Sequence, residues 1–154
     1  MKSVISTLIL FLASLSYADD DANLSVGWGT DHGGAAGLRY ALNRGASKYY
    51  GTVSLLGYSS SAGAEAGYGV GWEHLVSGDK HALGVFAGTV AVDFNGDETA
   101  VYHGLAGTYN YYFRGFSERT LVVGGSIYGG TTSSNERLFE DDKYGINAKL
   151  AFQW

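Results

Sequence analysis

KYGINAKLAFQW, residues 143–154, is the stretch whose pattern decides the fold. Tyr144, Ile146, Ala148, Leu150, Phe152 and Trp154 alternate with Gly145, Asn147, Lys149, Ala151 and Gln153. Successive side chains leave a β-strand on opposite sides, so this period of two writes one apolar face and one polar or small face.

The same period runs back through the chain. Residues 23–29 set Leu24, Val26 and Trp28 against Asn23, Ser25 and Gly27, and residues 35–43 set Ala36, Leu38, Tyr40 and Leu42 against Gly37, Arg39 and Ala41. Residues 49–58 oppose Tyr49, Val53 and Leu55 to Tyr50, Thr52 and Ser54. Residues 64–75 oppose Ala66, Tyr68, Val70 and Trp72 to Glu65, Gly67, Gly69, Gly71 and Glu73. In residues 99–113, Leu105, Tyr109, Tyr111 and Phe113 face away from Gly104, Ala106, Thr108, Asn110 and Tyr112. Residues 81–92 and 119–131 are more uniformly apolar, and their faces are not assigned by pattern. The connections are short and rich in Gly, Asn, Asp and Ser, so consecutive strands pair antiparallel, a parallel crossover needing roughly a dozen residues. The expected topology is an eight-strand meander.

Composition excludes other classes. The 154 residues include 24 Gly and 12 Tyr, no Pro and no Cys, and 16% are charged. Without cysteine there is no disulfide scaffold, thiolate zinc site or thiol nucleophile. Glycine far exceeds its usual share of ~7%, without the prolines of collagen. At 45% hydrophobic the chain is too apolar for intrinsic disorder.

Residues 1–18, MKSVISTLILFLASLSYA, carry Lys2, an apolar run and small residues at Ser16 and Ala18, the pattern of a secretory signal peptide cleaved after Ala18. The run is shorter than the roughly 20 residues a helix needs to cross a bilayer. The expected mature domain is 19–154; without Lys2 it has 9 basic and 15 acidic residues, net −6, which disfavours nucleic acid.

Alternation leaves open whether the apolar face points into a soluble barrel or out into lipid. The opposite face is mostly Gly, Ala, Ser, Thr and Asn, suited to a cramped eight-strand lumen and too poor in charge for a water-facing wall. Aromatic residues gather near strand ends, as at Tyr40, Tyr49, Tyr58, Trp72, Tyr109, Tyr111, Phe113, Tyr144, Phe152 and Trp154, as interfacial girdles require. Most segments also have the roughly 9–11 residues that cross a hydrocarbon layer. The expectation is an all-β, eight-stranded, antiparallel, up-and-down transmembrane β-barrel.

On these residues the chain resembles the small Gram-negative outer-membrane barrels of the OmpA-like and OmpX-like class. The resemblance is one of architecture over residues 19–154, and its most specific part is the final strand ending in an aromatic. It implies an outer-membrane location and makes Tyr144, Ile146, Leu150, Phe152 and Trp154 the signal for the outer-membrane assembly machinery. It also implies outer-membrane lipids and lipopolysaccharide as surroundings, and a monomer.

An even strand count places both ends of the barrel sequence on the periplasmic side. The turns on that side carry Arg44, Lys48, Asp79, Lys80, Arg114, Glu118 and Arg119, net +3; the opposite loops carry Asp31, Asp93, Asp97, Glu98, Glu136, Arg137, Glu140, Asp141 and Asp142, net −7. The acidic loops could share divalent cations with lipopolysaccharide phosphates.

Arg39, Glu65, Glu73 and Lys149 fall on the inward face and, being costly to bury alone, are expected to form a lumen polar network, Arg39 or Lys149 meeting Glu65 or Glu73. A structural filling is favoured over an ion conduit, because eight strands enclose room only for side chains. No catalytic residue is assigned. His32, His74, His81 and His103 lack the His-x-Ser spacing of the lipid A deacylase barrels, although His32 with Asp31 and a loop serine such as Ser59 leaves a palmitoyltransferase-like alternative open. The segment 93–98, DFNGDE, fails the EF-hand template and reads as a hairpin turn. No cofactor or metal is expected. The function expected is non-enzymatic, in envelope integrity or surface interaction; the alternatives are a lipid A-modifying enzyme and a soluble periplasmic lipocalin-like binder.

Overall fold

A computed structural model describes residues 22–34, 36–59, 63–95, 98–132 and 141–154. The eight strands are β1 (Ala22–Trp28), β2 (Ala36–Arg44), β3 (Ser47–Ser59), β4 (Gly63–Ser77), β5 (His81–Asn95), β6 (Glu98–Tyr112), β7 (Thr120–Thr131) and β8 (Asp142–Gln153). Each pairs antiparallel with the next, and β8 returns to β1 to close the barrel. Closure leaves no sheet edge with unpaired backbone groups. Backbone bonds of 3.0 and 2.9 Å between Leu24 and Trp154 extend the closing seam.

The alternation of residues 143–154 emerges as two faces of β8. Tyr144 and Ile146 are 78% and 84% exposed, whereas Lys149, Ala151 and Gln153 are buried. The faces that pattern left unassigned follow the same rule. Leu83, Val85 and Ala87 of β5 point outward and Ala82 and Phe86 inward, until a bulge between Thr89 and Ala91 shifts the register. In β7, Leu121 and Ile127 are exposed and Val122 and Ser126 buried.

Polarity is inverted relative to a soluble barrel. The outer wall presents Leu55, Val70, Leu105 and Ile127, while Lys48, Glu73 and Asn110 are sealed inside. Among the described residues, apolar packing inside gathers in two clusters, one around Tyr50, Phe86, Val90 and Tyr102 and one around Ala82, Tyr112, Phe116 and Val122.

Several boundaries differ from those expected. Strands β4, β5 and β6 have 15 residues each, longer than a hydrocarbon crossing needs, and Asp93 and Glu98 belong to β5 and β6 rather than to a loop. The Asn95↔Glu98 pairing makes the segment around them a hairpin. The expected signal peptide, the side chains of Tyr58 and Ser59, and residues 133–140 with Glu136, Arg137 and Glu140 lie outside what is described.

Candidate functional site

The first connection, expected as an exposed loop holding Asp31 and His32, instead folds inward as a 3-10 turn over Thr30–His32. All three residues are at most 2% exposed. The turn is closed by Gly33 N–H donating to Thr30 O at 3.0 Å, and Gly33 ends it at φ +84°, a left-handed conformation that glycine adopts without cost. Room for it comes from the wall: a Cβ at Gly37 would lie 2.2 Å from the His32 carbonyl oxygen, and one at Gly67 equally close to that of Gly33. Ser54 Oγ donates to Gly33 O at 2.8 Å, and Thr30 Oγ1 accepts from Ser126 at 2.9 Å and Asn147 at 3.2 Å. A connection whose tip bonds to strands around the barrel is a plug. Its inward course escaped the sequence because turn formers look alike whether a turn faces water or a polar lumen.

Beneath the plug lies a charge cluster. Asp31 Oδ2 accepts from Arg39 Nη1 at 2.9 Å and from Lys149 Nζ at 2.6 Å. Arg39 Nη2 donates in turn to Glu73 Oε1, which also accepts from the Tyr112 hydroxyl, while Glu73 Oε2 accepts from Asn110 at 2.7 Å. The guanidinium carbon of Arg39 lies 3.7 Å from the Tyr50 ring centre. Two carboxylates and two cations cancel formally, which is how charges persist away from water. Of the four residues expected to share a network, the fold thus brings Arg39 and Glu73 into direct contact and reaches Lys149 through Asp31. Glu65 stands apart: it has no ion-pair partner among the described residues, and its Oε2 is buried without a hydrogen bond. The missing member is Asp31, which sequence placed in an outer loop.

The opposite mouth, where β1 starts and β8 finishes, is closed by the connection between β6 and β7. Phe116 turns inward, 3% exposed, and its N–H donates to Asp79 O at 2.7 Å. Lys48, expected in a turn, lies in β3 facing the lumen and is fully buried. Its Nζ donates to Phe116 O at 2.6 Å and to Gln153 Oε1 at 2.8 Å, and it sits 4.5 and 4.2 Å from the Tyr112 and Phe116 ring centres. Gln153 Nε2 reaches Phe116 O and Glu118 O at 2.9 and 2.8 Å. Parity could have found this, since Lys48 is two residues before inward-facing Tyr50; the neighbouring turn formers obscured it. The two loop sums of charge therefore lose Lys48 and Asp31 to the interior.

His32, considered as part of a catalytic site with Ser59, meets Ser25. Ser25 Oγ is 3.2 Å from His32 Nε2, and His32 Nδ1 is 3.3 Å from Asp31 Oδ1. The order Ser, His, Asp is that of a nucleophile relay, but all three are sealed and Asp31 is already committed to two cations. In this place the chain of bonds anchors the plug to β1. Asp93 is held by Lys143. Of the residues expected as an assembly signal, Tyr144, Ile146, Leu150 and Phe152 lie on the outward face of β8, and Trp154 follows the strand, stacked on Phe152 at 6.2 Å.

No protein-family model matches the chain, and neither a curated protein nor a solved structure matches it. The eight-stranded antiparallel barrel agrees with the architecture of the expected class, and that agreement is one of shape alone.

Proposed function

We propose that the chain is an outer-membrane β-barrel of the OmpA-like and OmpX-like kind, acting without catalysis in envelope integrity or surface interaction. The observation that carries this is the inverted polarity: an outer wall of exposed aliphatic and aromatic side chains around an interior of paired charges and amides. In water such a wall is an aggregation surface, and in lipid it is a solvent-matched one. Aromatic side chains near both ends of the strands, including Tyr49, Phe113 and Phe152 at one and Phe94 and Tyr144 at the other, support the placement.

Within that reading the barrel is a scaffold rather than a conduit, because the 3-10 turn and the charge cluster occupy the lumen and Phe116 caps one mouth. A lipocalin-like binder would need the reverse polarity, with an apolar interior to receive its ligand.

The decisive measurement is membrane fractionation with gel mobility before and after boiling. The expected result is a protein resistant to urea extraction whose unboiled form migrates differently from the boiled form. Extraction by urea with no mobility shift would overturn the reading. For the closed lumen, planar bilayers holding the refolded protein are expected to show no stable current steps. Reproducible single-channel steps that vanish on changing Glu65 would make it a conduit instead.

A further inference from the structure

The outer wall is not smooth. Across β2, β3 and β4 the register places Leu42, Tyr49 and Trp72 in one outward row and Tyr40, Gly51 and Val70 in the next. Gly51 interrupts the second row, and the result is a groove of about 630 Å³ walled by those side chains, within the roughly 300–1,000 Å³ range of small-ligand sites. A Cβ built on Gly51 has no neighbour nearer than 3.9 Å, so the groove is open space outside the wall and not a fault in the strand.

A polar row adjoins the groove. One pleat nearer the mouth where β1 starts, the outward row reads Arg44, Ser47 and His74, again joined by register. Ser47 Oγ and His74 Nδ1 are 2.9 Å apart, and the His74 ring stacks on Trp72 with centres 5.9 Å apart. With the Ser47 hydroxyl donating to Nδ1, the ring presents an N–H at Nε2, on its other side. Arg44 brings a permanent cation to the same row. An apolar groove that adjoins, through Trp72, the His74 Nε2–H and the Arg44 guanidinium matches an acyl chain joined to an anionic head group.

We propose that this groove is a specific site for one glycerophospholipid with an anionic head group, drawn from the periplasmic leaflet. One acyl chain lies over Gly51 between Tyr40, Tyr49 and Trp72, and the phosphate accepts from Arg44 and from His74 Nε2, whose ring Ser47 orients. The proposal rests on the membrane placement argued above. The neighbouring groove around Gly107, walled by Leu83, Tyr109 and Ile127, has the apolar part without the cation and serves as the control.

The test is native mass spectrometry of the refolded full chain released from detergent micelles, with palmitoyl-oleoyl phosphatidylglycerol or palmitoyl-oleoyl phosphatidylcholine added. The expected result is one retained phosphatidylglycerol per chain, in preference to phosphatidylcholine. Gly51→Leu, which fills the groove, is expected to lower retention at least about tenfold, the effect of removing one apolar side chain's worth of burial. Ala87→Leu fills it from β5 and does the same should Gly51→Leu not refold. Gly107→Leu is expected to retain lipid, and Arg44→Gln with His74→Gln to retain it without the anionic preference. No retained lipid, equal retention after filling the groove, no anionic preference in the unaltered chain, or a dimer lost in Gly51→Leu would overturn the proposal. Boiled and unboiled mobility of the same samples separates the two ideas: a mobility shift without retained lipid removes only the lipid site, while a chain that stays dissolved without detergent and shows no shift removes the membrane placement as well.

Discussion

Glu73 concentrates the energetics of the lumen in one side chain. It is fully buried, and its two oxygens accept from Arg39, Tyr112 and Asn110, on β2 and β6. Removing it leaves Arg39 with only one of its two carboxylates in a site sealed from bulk solvent. Glu73→Ala is therefore expected to cost about 3–5 kcal/mol, the usual result of breaking a buried ion pair by deleting one partner, read from urea unfolding of the refolded barrel. Arg39→Met together with Glu73→Met should cost clearly less than the sum of the single changes, because the pair leaves together. Additive losses would show that the two charges are independently accommodated. The inward placement of Arg39, Glu73 and Lys149 was legible in the sequence because parity along a strand determines the face. Their partner Asp31 was not legible, since a residue between strands has no parity to read.

At the scale of elements, the 3-10 turn depends on the small residues facing it. Gly37→Ala would set a methyl group 2.2 Å from the His32 carbonyl oxygen and 2.6 Å from that of Val53, both backbone atoms with little freedom to move. The expected outcome is displacement of the turn, loss of about 1–3 kcal/mol as for other overpacked interiors, and faster hydrogen exchange at His32 and Gly33. Unchanged exchange would mean that the wall and not the turn gives way. The β6–β7 connection has a comparable keystone in Phe116, whose truncation to Ala is expected to cost about 3–5 kcal/mol and to uncover Lys48. Strand pairing itself was readable in advance, because short connections leave antiparallel neighbours as the only option. Lengths were less readable, since β3 to β6 continue past the alternating core of each segment into residues that also suit turns.

For the whole molecule the governing property is which side of the wall is apolar. Ile146, 84% exposed on β8, tests it: Ile146→Lys is expected to cost about 2–4 kcal/mol in lipid vesicles if it lies near the bilayer midplane. The same change is expected to be nearly silent for a wall that faces water. A silent substitution in vesicles would count against the membrane placement without touching the closed-barrel topology, which rests on strand register alone.

By itself the sequence determined the number of strands, their antiparallel order and, for six of the eight, which residues share a face. These are local properties, carried by period-two alternation and by the chemistry of short turns. Only the tertiary structure decided that the first connection enters the lumen, that Asp31 completes the ion cluster, that Lys48 sits over two aromatic rings, and that Ser25 meets His32. Each of these joins residues from different strands or a strand and a turn, and depends on the stagger with which the barrel closes. That stagger is set by the cyclic register of all eight strands together, a quantity that no single segment contains.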